Sequence, residues 1–174
     1  MQPSSSRQQP LEEKKRVRRN WKQVWQSQLP PKICTFVWRA CHEALPTLEQ
    51  LARRNRDVLN ECPICGVSEE SLQHILLRCP FARQVWVLSN LPWGIIATKM
   101  DSVLDWLWVV YEKLDRGSKD KFLALCWGLW QNRDQVFMEG KTATSLVVVR
   151  NTSWLYEEYV TSGRMLRPTA IRSG

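Results

Sequence analysis

Four residues in the middle of the chain carry side chains that bind soft metal ions: Cys62, Cys65, His74 and Cys79, spaced C-x2-C-x8-H-x4-C. Three thiolates and one imidazole, held as two close pairs, match the tetrahedral sulfur–nitrogen sets that bind zinc. Pro63 bends the first pair into a tight turn, and Gly66 frees the backbone just after it, so both sulfurs can face one ion. The second pair lies on a pattern that reads as a helix from Ser68 to Arg78, with His74 on its inward face. Pro80 predicts that this helix stops at or near Cys79. Four protein ligands leave no coordination position for water, so the expected cofactor is one structural Zn2+ rather than a catalytic ion.

Other uses of these thiols compete. A redox pair of the thioredoxin kind needs Cys-x-x-Cys after a buried strand and at a helix N-terminus. Here Cys62 follows Asn60-Glu61, and no such strand is legible. Disulfides suit secreted chains, whereas the start Met1-Gln2-Pro3-Ser4-Ser5-Ser6 is polar and unlike a secretory leader. Plain buried thiols are the third alternative, and zinc is favoured over all of them by spacing and context. Cys34 and Cys41, seven apart on one helical face, read as core thiols outside the metal set. His42, twenty residues before Cys62, reads as a helix-end residue rather than a ligand.

The elements that must position these ligands are predicted to be helical. Of 174 residues 44% are hydrophobic, which permits a real core, and ten tryptophans can fill it with few residues. Strand-type alternation is weak, so the fold class is mostly α: a small helical domain organised around a Cys3His zinc knuckle, with further C-terminal helices. No apolar run approaches 18 residues, so no membrane span is expected. The periodicity predicts helices over Asn20–Gln28, Lys32–His42, Thr47–Arg54, Phe81–Asn90, Ser102–Leu114, Lys119–Met138 and Thr144–Val160. Asn20 is the expected cap of the first, Thr47 with Gln50 a capping box for the third, and Gly117-Ser118 a break. The run Val147-Val148-Val149 is the one place where a strand competes. Residues 1–19 read as a disordered basic tail, 20–91 as the zinc-binding domain, 91–100 as a loop, 101–162 as a helical, linker-like region and 163–174 as a fraying tail.

The ordered set Trp21-Lys22-Gln23-Val24-Trp25, Leu29-Pro30-Pro31-Lys32, Phe36-Val37-Trp38-Arg39-Ala40, Leu45-Pro46-Thr47, Cys62-Pro63-Ile64-Cys65, His74 to Ala82 and Val85-Trp86 resembles the zinc-binding domain downstream of the reverse transcriptase in plant non-LTR (LINE-type) retrotransposons. A second, weaker likeness, Trp127-Gly128-Leu129-Trp130-Gln131-Asn132-Arg133 with Phe137 and Gly140-Lys141, is similar to the stretch linking that domain to ribonuclease H. A polymerase needs paired aspartates holding two metal ions. No Tyr-x-Asp-Asp segment occurs, and Asp101, Asp105, Asp115 and Asp120 are spread along helix faces and ends. The resemblance therefore implies a stand-alone, non-catalytic fragment lacking polymerase and ribonuclease H domains.

Net charge is +8, which favours a polyanionic partner, or simply keeps a tryptophan-rich chain soluble. The expected contacts to RNA or DNA are sequence-tolerant: Lys14, Lys15, Arg16, Arg18 and Arg19 from the basic run, and Arg53, Arg54, Arg56, Arg78 and Arg83 around the knuckle. The basic run also reads as a nuclear-import signal. Most tryptophans are expected in the core, with Trp93 exposed. The competing class is a structural module that packs on a polymerase or self-associates.

Overall fold

Proline and capping residues cut the chain into helices, and what each helix packs against decides how far it extends. The computed structural model describes residues 9–165, with side chains from 11 to 163, so residues 1–8 and 166–174 of the expected tails lie outside the described residues. Eight α-helices follow in order: α1 (Gln9–Trp25), α2 (Pro31–Cys41), α3 (Leu48–Arg54), α4 (Pro80–Leu88), α5 (Trp93–Ile96), α6 (Val103–Lys113), α7 (Arg116–Glu139) and α8 (Ser145–Met165). A π-helical turn, His74–Arg78, stands between α3 and α4. The mostly α class holds; among the described residues the only β pairing is an isolated bridge, Glu61 with Glu69.

Helix α1 is longer than the pattern predicted. Asn20 is not its cap but a buried mid-helix residue whose Nδ2 donates to Glu112 Oε1 at 2.7 Å. Upstream of it Val17 packs against the core, so the helix continues back to Gln9 through residues read as unstructured. Thr47 does cap α3, its hydroxyl accepting from Gln50 N at 3.3 Å. The Gln50 side chain turns instead to Glu43 O at 2.7 Å, so the capping box is half formed. Asp115, not Gly117-Ser118, marks the start of α7: its Oδ1 accepts from Gly117 N and Ser118 N, and those two residues form the first turn. Gly140 ends α7 in the left-handed region at φ 63°, where glycine has no Cβ to clash. Pro92-Trp93 opens a short helix within the stretch read as loop. Val147, Val148 and Val149 are helical, because α8 buries Val148 against α7 rather than joining a sheet.

The C-terminal helices pack on the N-terminal ones. Helix α7 packs on α8, α2 and the π turn, α4 packs on α8, and α6 packs on α2. Trp86, Trp106 and Phe122 meet at the centre with ring centroids 5.4–6.4 Å apart. Each indole N–H is satisfied: Trp106 donates to Ile96 O at 2.8 Å and Trp86 to Leu76 O at 2.7 Å. The second bond has a covalent reason. In an α-helix the donor to Leu76 O would be residue 80, a proline without an N–H, and the Trp86 indole takes that place.

At Gly128, α7 lies directly against α8. A Cβ there would collide with Thr152 Oγ1 and touch Val148 Cγ1 at 3.5 Å. Alanine is the better helix former by about 1 kcal/mol, but overpacking costs about 1–3 kcal/mol. Gly128→Ala is therefore expected to lower stability in urea unfolding, and Thr152→Ala in the same chain to restore it. An alanine variant as stable as the parent would show that the helices can part freely.

Candidate metal centre

The four predicted ligands converge. Cys62, Cys65, His74 and Cys79 present one donor atom each, and all four atoms lie within 4.8 Å of one another. Cys65 Sγ and His74 Nε2 are 3.3 Å apart. Zinc–sulfur bonds of about 2.3 Å and zinc–nitrogen bonds of about 2.0–2.1 Å give tetrahedral edges of about 3.5–3.8 Å. The donor chemistry and the spacing both fit that ion after a small contraction. Cys34 and Cys126 are buried and Cys41 half-buried, apart from this group, as core thiols. Burial pushes Cys41 up to about 12 and raises Cys34 and Cys126 as well, so these thiols stay protonated.

Local backbone explains the convergence. Gly66 N donates to Cys62 O at 2.9 Å, closing the turn over Pro63, and Gly66 takes φ 63°. Cys62 N donates to Ser68 O and Glu70 N to Asn60 O, so the ligand loop is a short hairpin. Helical structure begins only at Leu72, not Ser68, and then widens into the π turn. Cys79 N donates to His74 O at 2.8 Å, a bond spanning five residues. That span is the H-x4-C spacing itself: an α-helix of about 3.6 residues per turn would swing Cys79 away from His74, and i→i+5 bonding brings the pair to one side. Ser71 Oγ accepts from His74 N at 3.1 Å and steadies the start of the turn.

The hydrogen bond from the Cys79 thiol pulls Cys62 down to about 4, and that same bond pushes Cys79 up. Three thiolates this close repel one another. Holding three needs a cation, which is what a divalent ion with four ligands supplies.

A second constellation, unread in the sequence, fixes the ligand loop to the rest of the fold. Glu70 is fully buried and Arg133 is 2% exposed. Arg133 Nη2 donates to Glu70 Oε1 at 2.6 Å and Nε to Oε2 at 2.8 Å, a two-pronged pair. Glu70 Oε1 also accepts from Leu48 N at 2.7 Å, so one carboxylate caps α3 and anchors α7. Burial works against the charge on Arg133, while Glu70 and then Asp134 favour it, and the balance is upward. Its guanidinium lies over the Phe137 and Trp130 rings.

The expected cationic residues are distributed. Arg78 and Arg83 line one groove beside His74, joined there by Lys99 and Trp93. Four acidic residues, Glu49, Glu69, Asp101 and Asp105, line it too. Arg53, Arg54 and Arg56 are exposed at the end of α3 and just after it, Arg53 being paired with Glu49 at 2.8 Å. Lys14, Lys15, Arg18 and Arg19 are exposed on α1, Lys15 paired with Glu12. Arg16 turns inward, half-buried, with Nε 3.8 Å from Glu112 Oε1. Trp93 is exposed as expected, and Trp25, Trp38 and Trp154 are exposed as well.

Residues 4–86 match the family described as zinc-binding in reverse transcriptase. A putative ribonuclease H protein of Arabidopsis thaliana is 33% identical over 64 residues, which are 37% of this chain and 10% of that protein. The chain thus aligns with about a tenth of that relative's length. No solved structure matches. The matched segment runs through all four ligands, which are gathered at zinc-binding distance, so the chain holds a Zn2+ site in a segment similar to the zinc-binding domain of reverse transcriptases.

Proposed function

We infer that the protein is a non-catalytic module, retrotransposon-derived and acting in the nucleus, whose zinc-held knuckle presents cations to RNA or DNA. The observation that carries this reading is the groove beside His74, where Arg78, Arg83 and Lys99 stand with the exposed ring of Trp93. Arginine forks and a lysine suit phosphate oxygens, and an indole suits an unpaired base. The exposed arginines 53, 54 and 56 add three further cations at the end of α3 and just after it. Zinc serves here as a structural pin, and its full set of protein ligands leaves no place for a reacting group.

The test is titration of single-stranded RNA and duplex DNA with the zinc-loaded chain at two salt concentrations. Micromolar or weaker binding that falls steeply with salt is expected, because released counterions drive it. Changing Arg53, Arg54 and Arg56 together to alanine should weaken it without loss of fold or metal. Absence of binding at low salt overturns the proposal.

A second reading has its own support. Phe137, Met138, Leu146 and Trp154 are exposed apolar side chains toward the junction of α7 and α8 and along α8. Apolar surface of this kind favours a protein partner such as a polymerase, or a second copy. Concentration-dependent association at high salt, indifferent to nucleic acid, would favour that reading.

A further inference from the structure

We propose that a strip of rings across α1 and α2 is a stacking platform for single-stranded nucleic acid. This rests on the nucleic-acid reading above and assigns it a place that the arginines do not predict. Trp25 and Trp21 of α1 lie 6.4 Å apart between ring centroids, Trp21 and His42 6.4 Å, and His42 and Trp38 of α2 4.4 Å. Successive ring planes differ by only 28°, 36° and 25°. The strip is anchored from below, where Trp21 meets the buried Trp108 at 5.1 Å, edge to face. Its two ends are open: Trp25 is 56% exposed and Trp38 45%.

The charge beside the rings selects the partner. Lys14, Arg18, Trp21 and Trp25 recur at helical steps of four, three and four, so two cations and two indoles share one side of α1. Lys22 adjoins them, and Lys14, Arg18 and Lys22 are all exposed. Glu43 is the acidic residue next to His42, and Arg39 is engaged with Ala44 O at 3.3 and 3.1 Å. Open ring faces at the two ends of this stack, on Trp25 and Trp38, beside cations suit a chain that alternates planar bases with phosphates. In a duplex the base faces are already stacked on each other, so only an unpaired strand can use the rings.

The test compares the zinc-loaded chain with Trp25→Ala/Trp38→Ala on oligouridine, oligothymidine and a duplex of the same length. Both residues are exposed, and melting and zinc content verify that the variant is folded; Trp25→Phe/Trp38→Phe is the second variant, keeping an aromatic face. The alanine pair should bind the single strands at least tenfold more weakly, leave duplex binding and the salt slope unchanged, and bind more weakly than the phenylalanine pair. Arg18→Ala should instead flatten the salt slope. Single-strand affinity unchanged in the alanine pair overturns the platform, as does an equal loss on duplex. If the parent chain binds none of the three, the broader nucleic-acid reading falls with it; if it binds and only the alanine pair is unaffected, the platform alone falls.

Discussion

Stripping zinc from the purified chain is expected to release one ion per molecule and to melt the segment from Asn60 to Pro80. That segment has little regular structure of its own. Its regular structure is one isolated bridge, a turn closed by Gly66 N, and a single π turn. Metal ligation in comparable finger peptides is worth about 10–16 kcal/mol, and that energy is folding energy because the unfolded chain has no site. The loss spreads because Cys62, Cys79, Ile75 and Leu76 are part of the hydrophobic core, and the Trp86 indole donates to the carbonyl of Leu76. Chelation should therefore reduce the helical signal, lower the melting temperature by well over 10 °C, and increase proteolysis between Arg56 and Arg83. Cys65→Ser and His74→Ala should each lose the ion, whereas Cys34→Ser should keep it. Unchanged metal content in both ligand variants would show the assignment to be wrong.

The ligands were legible because their chemistry is local: each pair lies within six residues, and spacing alone places it. Thr47 was legible as a cap for a similar reason, its hydroxyl accepting from the Gln50 amide three residues ahead. Misreadings came where a competing contact, distant or local, overrides such signals. Asn20 has the side chain of a cap, but Glu112 claims it across 92 residues, and α1 runs on through it. Gly117-Ser118 has the composition of a break, but Asp115 binds both amides and starts α7 there. The π turn was hidden because a helical pattern is blind to one extra residue per turn, although the four residues between His74 and Cys79 hinted at it. The aromatic strip was hidden because Trp21 and Trp25 lie on α1 while Trp38 and His42 lie on α2 and just after it, a juxtaposition no single-helix pattern contains.

Glu70 and Arg133 were wholly invisible for the same reason, being 63 residues apart and of types usually solvated. Their loss should be the most damaging among changes away from the metal. Removing one member of a buried pair leaves the other charge in a medium that cannot solvate it, at a cost of about 3–5 kcal/mol. A typical domain has only about 5–15 kcal/mol in total. Glu70→Ala adds the loss of the cap on Leu48 N, so it should exceed Arg133→Met, which keeps apolar bulk beside Trp130 and Phe137. At about 2–4 °C per kcal/mol for a chain of this size, either change should lower the melting temperature by roughly 6–20 °C. The double variant Glu70→Ala/Arg133→Met should be less destabilised than the sum of its singles, since no orphaned charge remains. Zinc should still bind each variant, because none of the ligands is touched, but more weakly, because Glu70 holds the ligand loop against α7. Denaturant melts of the four zinc-loaded proteins decide this. Additive losses would mean that water reaches the pair, and that the loop is positioned by zinc and the core alone.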